Sequence, residues 1–129
     1  MKNAANLFNM AKKTAENSYS PYSHFRVGAA ILTHDGSIFT GTNIENASFG
    51  LTICAERVAI FNAISNGYKS FTDLALTSYS GLPIFPCGSC RQVLYEFSPE
   101  IQIHIEGNNK VFQLKDLLPY AFDAKQIRK

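Results

Sequence analysis

The chain has 129 residues, of which 46% are hydrophobic and 17% are charged, and its formal net charge is +2. This length and composition are typical of one globular domain, so a single domain is expected over residues 1–129. The weak charge argues against a nucleic-acid or membrane-surface partner, and no apolar run reaches the roughly 20 residues that span a bilayer.

The N-terminal segment Met1–Asn6 lacks the apolar run of a secretory signal peptide, so a soluble cytoplasmic protein is expected. Apolar side chains recur at helical spacing over residues 3–17, which predicts an amphipathic helix. A loop at 18–23 then precedes two strands joined by a turn. These strands are predicted over Val27–Leu32 and Ile38–Thr42.

A polar loop over residues 43–52 opens the second part of the chain, where helical and strand patterns alternate. Helices are predicted from Cys54 to Asn66, with Gly67 as the terminating residue, and from about Cys87 to Phe97. The remaining predicted elements are strands over Asp73–Ser78, Ile101–Glu106 and Lys110–Gln113, and a short helix over Leu114–Leu118.

These elements predict one layered α/β domain, in which a five-stranded mixed sheet carries helices on both faces. The last two strands are joined by the three-residue turn Gly107–Asn109. A parallel pair needs a crossover of about a dozen residues or more, so these strands must form an antiparallel hairpin.

Three cysteines stand at the predicted starts of two helices: Cys54 at one, and the pair Cys87 and Cys90 at the other. Cys-x-x-Cys spacing on a first helical turn points both sulfurs at one place, where the helix dipole favours thiolates. Three protein ligands leave one position of a zinc tetrahedron open, as in catalytic zinc sites. A redox pair or two buried thiols would also fit the Cys-x-x-Cys spacing taken alone.

Glu56 follows Cys54 by two residues, too close to join the same tetrahedron but able to face a bound water. Zinc lowers the pKa of its water, and a nearby carboxylate can move the protons. A solvated surface carboxylate is the alternative for Glu56 taken alone. Cys-x-Glu followed by Pro-Cys-x-x-Cys is, however, a signature of zinc deaminases.

On these motifs the chain resembles the small, homotetrameric zinc-dependent cytidine deaminases over nearly its whole length. The resemblance implies their fold and hydrolytic deamination of cytidine and 2′-deoxycytidine to uridine and 2′-deoxyuridine, with release of ammonia, in pyrimidine salvage. It further implies one Zn²⁺ per subunit, a homotetramer and active sites near subunit interfaces. The matching stretches are Pro21–Ala30, Gly41–Ala47, Cys54–Arg57, Pro86–Val93 and Leu117–Phe122.

The resemblance also assigns roles to individual residues. Cys54, Cys87 and Cys90 would bind the zinc. Glu56 would take a proton from the zinc-bound water and deliver it to N3 of the base, while the hydroxide attacks C4. Arg57 would donate to the sulfurs and offset the −1 charge of a zinc ion with three thiolates.

Further matching residues would bind the substrate. Asn43 and Glu45 would hold the ribose 3′-hydroxyl, and Phe25 would pack on the base. Ala55 belongs to the same substrate-binding set. Phe122 would reach a pocket, with its own subunit and a neighbouring subunit both open as the location. Without the resemblance, ordinary loop polarity and apolar packing would be the preferred interpretation of most of these residues.

One residue departs from the family pattern. Phe49 stands where many relatives carry a tyrosine, so a hydrogen bond from that position to the 5′ end of the sugar would be absent.

Three other functions fit parts of the pattern. A deaminase of another aminopyrimidine nucleoside, such as the blasticidin type, shares the zinc motif but differs at Asn43–Asn46. A polynucleotide deaminase needs parallel final strands, which the Gly107–Asn109 turn forbids. A structural zinc module needs a fourth ligand, and none of the three histidines has suitable spacing; they are His24, His34 and His104.

Overall fold

The computed structural model describes residues 4–127. Helix α1 spans Ala4–Ala15, and the predicted start at residue 3 lies outside the described residues. The other helices are α2 (Ala55–Ser65), α3 (Gly88–Phe97) and α4 (Leu114–Leu117). The strands are β1 (Val27–Thr33), β2 (Ile38–Thr42), β3 (Phe71–Ser78), β4 (Gln102–Ile105) and β5 (Val111–Gln113).

The predicted elements are all present, with ends that differ from the predictions by one or two residues. Strand β3 begins at Phe71 rather than Asp73. Short 3₁₀ turns at Phe49–Leu51 and Ala124–Gln126 were not predicted. Within residues 4–127, no helix combines the length and the apolar character needed to cross a membrane.

Helix α2 ends where the sequence predicts, at a glycine with positive φ. Gly67 has φ +96°, a conformation that costs glycine little because it has no Cβ. Its N–H donates to the carbonyl of Ile64, and the next N–H, of Tyr68, donates to that of Ala63. This Schellman arrangement satisfies carbonyl groups that the last helical turn leaves unpaired.

The five strands form one mixed sheet in the order β2-β1-β3-β4-β5. Strand β1 is antiparallel to both β2 and β3, and β3 is parallel to β4, with α3 as the crossover. Strands β4 and β5 are antiparallel, which confirms the predicted hairpin.

Helices cover both faces of this sheet, as predicted. On one face, strand residues such as Ile31 and Leu74 pack with Ile60 of α2 and Leu94 of α3 in the main core. On the other face, Ala30 and Ala75 pack against Leu7 and Ala11 of α1. Alternate residues of β1 and β3 therefore face different helices, as strand geometry requires.

One edge of the sheet gathers the segments that will matter for function. Val27 pairs with Ser78, and Gly28 pairs with Thr42. The start of β1 and the ends of β2 and β3 therefore lie side by side. The chain leaves β2 and β3 at this edge, and each exit leads through a loop to the N-terminus of a helix, α2 or α3.

Candidate active site

Three thiols converge where α2 and α3 begin. Cys54 and Cys87 are the residues immediately before the two helices, and Cys90 lies in the first turn of α3. The Sγ atoms of Cys54 and Cys87 are 3.8 Å apart, and those of Cys87 and Cys90 are 3.4 Å apart. All three lie within 4.8 Å of one another.

This donor set fits zinc. Zinc–sulfur bonds of about 2.3 Å at tetrahedral angles put sulfurs about 3.8 Å apart, close to the observed separations. Cys90 is buried, Cys54 is partly buried and Cys87 is exposed, so the cluster opens on one side. These three sulfurs would hold a metal ion on the exposed side of the cluster, where it could activate a water molecule.

The surroundings of the cluster favour a thiolate. A hydrogen bond from the Cys90 thiol, followed by one from the Arg57 guanidinium, lowers the pKa of Cys54 to about 5. The same bond to Cys54, together with burial, raises the pKa of Cys90. The N-termini of α2 and α3 add positive potential at the same place.

Arg57 lies beside the sulfur of Cys54. Its Nη2 donates to Sγ of Cys54 at 3.6 Å. This hydrogen bond raises the pKa of the guanidinium, which is positively charged in any case. The Nε atom of Arg57 is buried and bonds to no group among residues 4–127.

Glu56 is a buried acid next to the thiols. It lies in the first turn of α2, and only 4% of its surface is exposed. Burial raises the pKa of its carboxyl group to about 7, with the charge of Cys54 acting in the same direction. A carboxyl with this pKa both accepts and donates a proton near neutral pH.

A cleft of about 330 Å³ opens over Glu56 and the thiols. This volume lies in the range of small-molecule sites, and most of the wall is apolar. The structure brings predicted residues from four segments of the chain together in this wall. The lining residues are Phe25, Val27, Asn43, Cys54, Ala55, Glu56, Ile84, Phe85 and Cys87.

Asn43 holds one wall of the cleft in place. Its Oδ1 accepts from the backbone N–H of Val27 at 3.0 Å and from the hydroxyl of Ser18 at 2.6 Å. Its Nδ2 donates to the carbonyl of Phe25 at 2.7 Å. The buried amide therefore fixes the backbone on both sides of Arg26, from the carbonyl of Phe25 to the N–H of Val27.

Glu45 acts on the neighbouring loop and does not line the cleft of this chain. Its Oε1 accepts from the N–H groups of Tyr22 and Ser23 at 2.9 and 3.2 Å, and its Oε2 accepts from the Ser23 hydroxyl. These bonds, led by that of the Ser23 hydroxyl, lower the pKa of Glu45. The carboxylate is thus ionised and anchored at the loop before Phe25.

Two aromatic residues singled out from the sequence lie outside the cleft. Phe122 is 53% exposed, and its carbonyl accepts from Nε2 of Gln92 at 2.7 Å. Phe49 is 75% exposed and makes an edge contact with Tyr22, with the ring centroids 5.9 Å apart.

Sequence reasoning missed three lining residues and one supporting residue. Val27, Ile84 and Phe85 complete the apolar wall, and for the last two the only available signal was their place just before Pro86-Cys87. Arg91 donates from Nε to the carbonyl of Pro86 at 2.7 Å and from Nη1 to that of Leu117 at 2.6 Å. It ties the segment that carries Cys87 to helix α4.

Comparison with known proteins places this site in context. A family model described as "Cytidine and deoxycytidylate deaminase zinc-binding region" matches residues 1–105. Cytidine deaminases of Sporosarcina psychrophila and Halalkalibacterium halodurans are 43% and 42% identical, over 91% and 94% of this chain and 89% and 95% of their own length. The crystal structure of cytidine deaminase from Burkholderia pseudomallei has a TM-score of 0.86 and 44% identity, over 92% of this chain and 98% of that chain.

Proposed function

The chain belongs to the cytidine deaminase family, whose members are zinc-dependent hydrolases, and from this premise we propose the reaction, the residue roles and the assembly that follow. The reaction is hydrolysis of cytidine and 2′-deoxycytidine to uridine and 2′-deoxyuridine, with release of ammonia, in pyrimidine salvage. The observation that carries the proposal is buried Glu56 beside three converging thiols, of which Cys54 and Cys87 line the same apolar cleft as Glu56.

Cys54, Cys87 and Cys90 hold the zinc ion. When bound there, zinc supplies a Lewis acid that lowers the pKa of a coordinated water to about 7. The guanidinium of Arg57 offsets the negative charge that three thiolates and one Zn²⁺ leave, since it donates to Sγ of Cys54.

Glu56 moves the protons of the reaction. It accepts one proton from the attacking water and delivers it to N3 of the pyrimidine, as the water oxygen bonds to C4. It then passes the second proton of that water to the amino nitrogen, and the C4–N bond breaks to release ammonia. A carboxyl group whose pKa is about 7 suits both accepting and donating at neutral pH.

The cleft binds the nucleoside through its apolar wall and one polar edge. Phe25 packs on the pyrimidine, and Ala55 contacts the base beside Glu56. Asn43, in the cleft wall, donates its second amide hydrogen to the ribose 3′-hydroxyl. Glu45, which is anchored at the loop before Phe25 and does not line the cleft, accepts from the same hydroxyl. Because Phe49 has no hydroxyl group, its position contributes no hydrogen bond to the 5′ end of the sugar.

The assembly is a homotetramer with its active sites near the subunit interfaces. Support comes from large apolar side chains that one chain leaves exposed, by 53% to 104% of their surface, and that a partner would cover. These include Phe49, Leu51, Leu82, Tyr120 and Phe122.

The proposed location is the cytoplasm, because the three thiols must stay reduced to bind zinc.

The test follows the ultraviolet absorbance of cytidine as it is mixed with zinc-loaded protein, with Glu56→Ala protein alongside. We expect the wild type to consume cytidine and the variant to be slower by at least about 10²–10⁴-fold, while it keeps its zinc. Absence of turnover by folded, zinc-loaded wild type would contradict the proposal, and blasticidin S would then be the next substrate to test.

A further inference from the structure

Phe85 is an aromatic residue of the cleft wall to which the proposed reaction gives no role. It lies two residues before Cys87, lines the cleft together with Phe25 and Glu56, and is 41% exposed. A phenylalanine with this exposure has a large apolar surface available to a ligand. Its neighbour Ile84 lines the same wall.

The ring of Phe85 is held firmly from behind. It packs edge-to-face on Phe112 of β5, with the centroids 5.0 Å apart and the planes at 77°. The ammonium group of Lys110 lies 5.2 Å from the centroid of Phe112. Arg91 fixes the adjacent backbone at the Pro86 carbonyl. Phe85 is therefore a rigid wall, since both its ring and its backbone have fixed partners.

The direction of the substrate in the cleft follows from the reaction. C4 must lie at the thiol cluster, and N3 must lie within reach of Glu56, which belongs to α2. C5 is the other ring neighbour of C4, so it points away from Glu56. Ile84 and Phe85 are the lining residues that come from the segment before α3, and not from α2.

We propose that Phe85 is a specificity-determining residue that limits substituents at C5 of the pyrimidine. This inference rests on the proposed deamination of cytidine, which places C4 and N3 as described. The ring of Phe85 faces the C5–C6 edge, so a hydrogen at C5 is accepted and a methyl group collides with a wall that cannot move.

The experiment compares kcat/KM for cytidine and 5-methylcytidine in zinc-loaded wild type and in Phe85→Ala protein. One methyl group in a tight pocket is worth about 10- to 200-fold in kcat/KM, and we expect the wild type to prefer cytidine by this order. Phe85→Ala should reduce the preference at least about tenfold, and Phe85→Trp should increase it. A preference in Phe85→Ala within about twofold of wild type overturns the proposal.

Phe61→Ala is the matched control, because Phe61 is 42% exposed on α2 and does not line the cleft; its preference should equal that of wild type. Phe85→Leu replaces Phe85→Ala if the latter does not fold. Uridine and 5-methyluridine serve as competitive inhibitors in a second measurement. The ratio of their inhibition constants must change between wild type and the variant in the same way as the ratio of kcat/KM values. Failure of wild type to turn over cytidine would contradict the proposed function, whereas turnover with an unchanged ratio contradicts only the role of Phe85.

Discussion

Glu56 owes its chemistry to the exclusion of water. Hydrogen bonds from the backbone and from Cys90, and the positive charge of Arg57, all act to lower the pKa of its carboxyl group. Burial outweighs them and brings the pKa to about 7. A charged carboxylate at this position therefore costs free energy in the folded chain.

This cost predicts how stability depends on pH. The folded pKa of Glu56 lies above its ordinary value of 4.5, so its burial destabilises the metal-free protein progressively from about pH 4.5 to pH 7 and fully above pH 7. Glu56→Gln removes the ionisable group and keeps the shape. At pH 8 we expect the free energy of unfolding of the variant to exceed that of wild type by about 2–3 kcal/mol.

Urea unfolding of both proteins in the presence of a chelator, at pH 4.5 and pH 8, measures this difference. The gain should nearly vanish at pH 4.5, where the wild-type carboxyl is protonated in the folded state. An equal gain at both pH values would mean that packing, and not the charge, causes it.

The sequence predicts the residues of the site whose positions depend on local geometry. Cys-x-x-Cys on a first helical turn requires Cys87 and Cys90 to converge, and their sulfurs lie 3.4 Å apart. Phe85 could not be assigned in this way, because its position depends on the ring of Phe112 in β5. Roles for Phe25 and Asn43 came only from the family pattern, since a single phenylalanine or asparagine has no distinctive spacing.

At the scale of elements, two glycines allow helices to approach the sheet closely. A Cβ on Gly41 of β2 would lie 2.5 Å from the carbonyl oxygen of Ala55 and 2.3 Å from the backbone nitrogen of Ala59, both in α2. A Cβ on Gly28 of β1 would lie 1.9 Å from the carbonyl oxygen of Ala11 in α1. Because these contacts are with backbone, a side chain at either position must displace a helix.

Of these two helices, only α2 contributes residues to the candidate active site. Substitution of the two glycines therefore separates an effect on stability from an effect on zinc binding. Gly41→Ala and Gly28→Ala should each lower the free energy of unfolding by at least about 1–3 kcal/mol through overpacking. Gly41→Ala alone should also weaken zinc binding, by about 10- to 100-fold, because it displaces the start of α2 beside Cys54. Competition with a chromophoric chelator measures the zinc affinity of folded protein.

Gly28→Ala is the matched control, since α1 packs on the opposite face of the sheet and contributes no lining residue of the cleft. Equal loss of zinc affinity in both variants would show that general destabilisation, and not the position of α2, controls the metal site.

The topology was predicted only where a short connection decides it. The turn Gly107–Asn109 requires an antiparallel hairpin, and β4 and β5 form one. The strand order β2-β1-β3 depends on pairing between segments far apart in the chain, such as Val27 with Ser78, and no local pattern predicts it.

At the scale of the whole molecule, the exposed aromatic residues point to partner subunits. Phe122 is half exposed and lies outside the cleft of its own chain, although the resemblance predicts that it reaches a substrate pocket. Tyr120, two residues earlier, is fully exposed and has φ +55°, in the left-handed region. We therefore expect light scattering to give about four times the 14.3 kDa mass of one chain.

If Phe122 completes the active site of a neighbouring subunit, the inactive variants Glu56→Ala and Phe122→Ala should complement each other in mixed tetramers. A mixed tetramer of Glu56→Ala and Phe122→Ala chains contains sites where an intact Glu56 faces an intact Phe122 from the other chain. With random assembly, roughly a quarter of the sites are complete, so coexpression should restore cytidine turnover toward that fraction of wild type. Coexpression of Glu56→Ala with Cys87→Ser is the control. Glu56 and Cys87 line the cleft of the same chain, so no mixed tetramer of these two variants contains a complete site. If Phe122 acts in its own chain, the first mixture will show only the average of the two variants, since no mixed site then gains a group that it lacked.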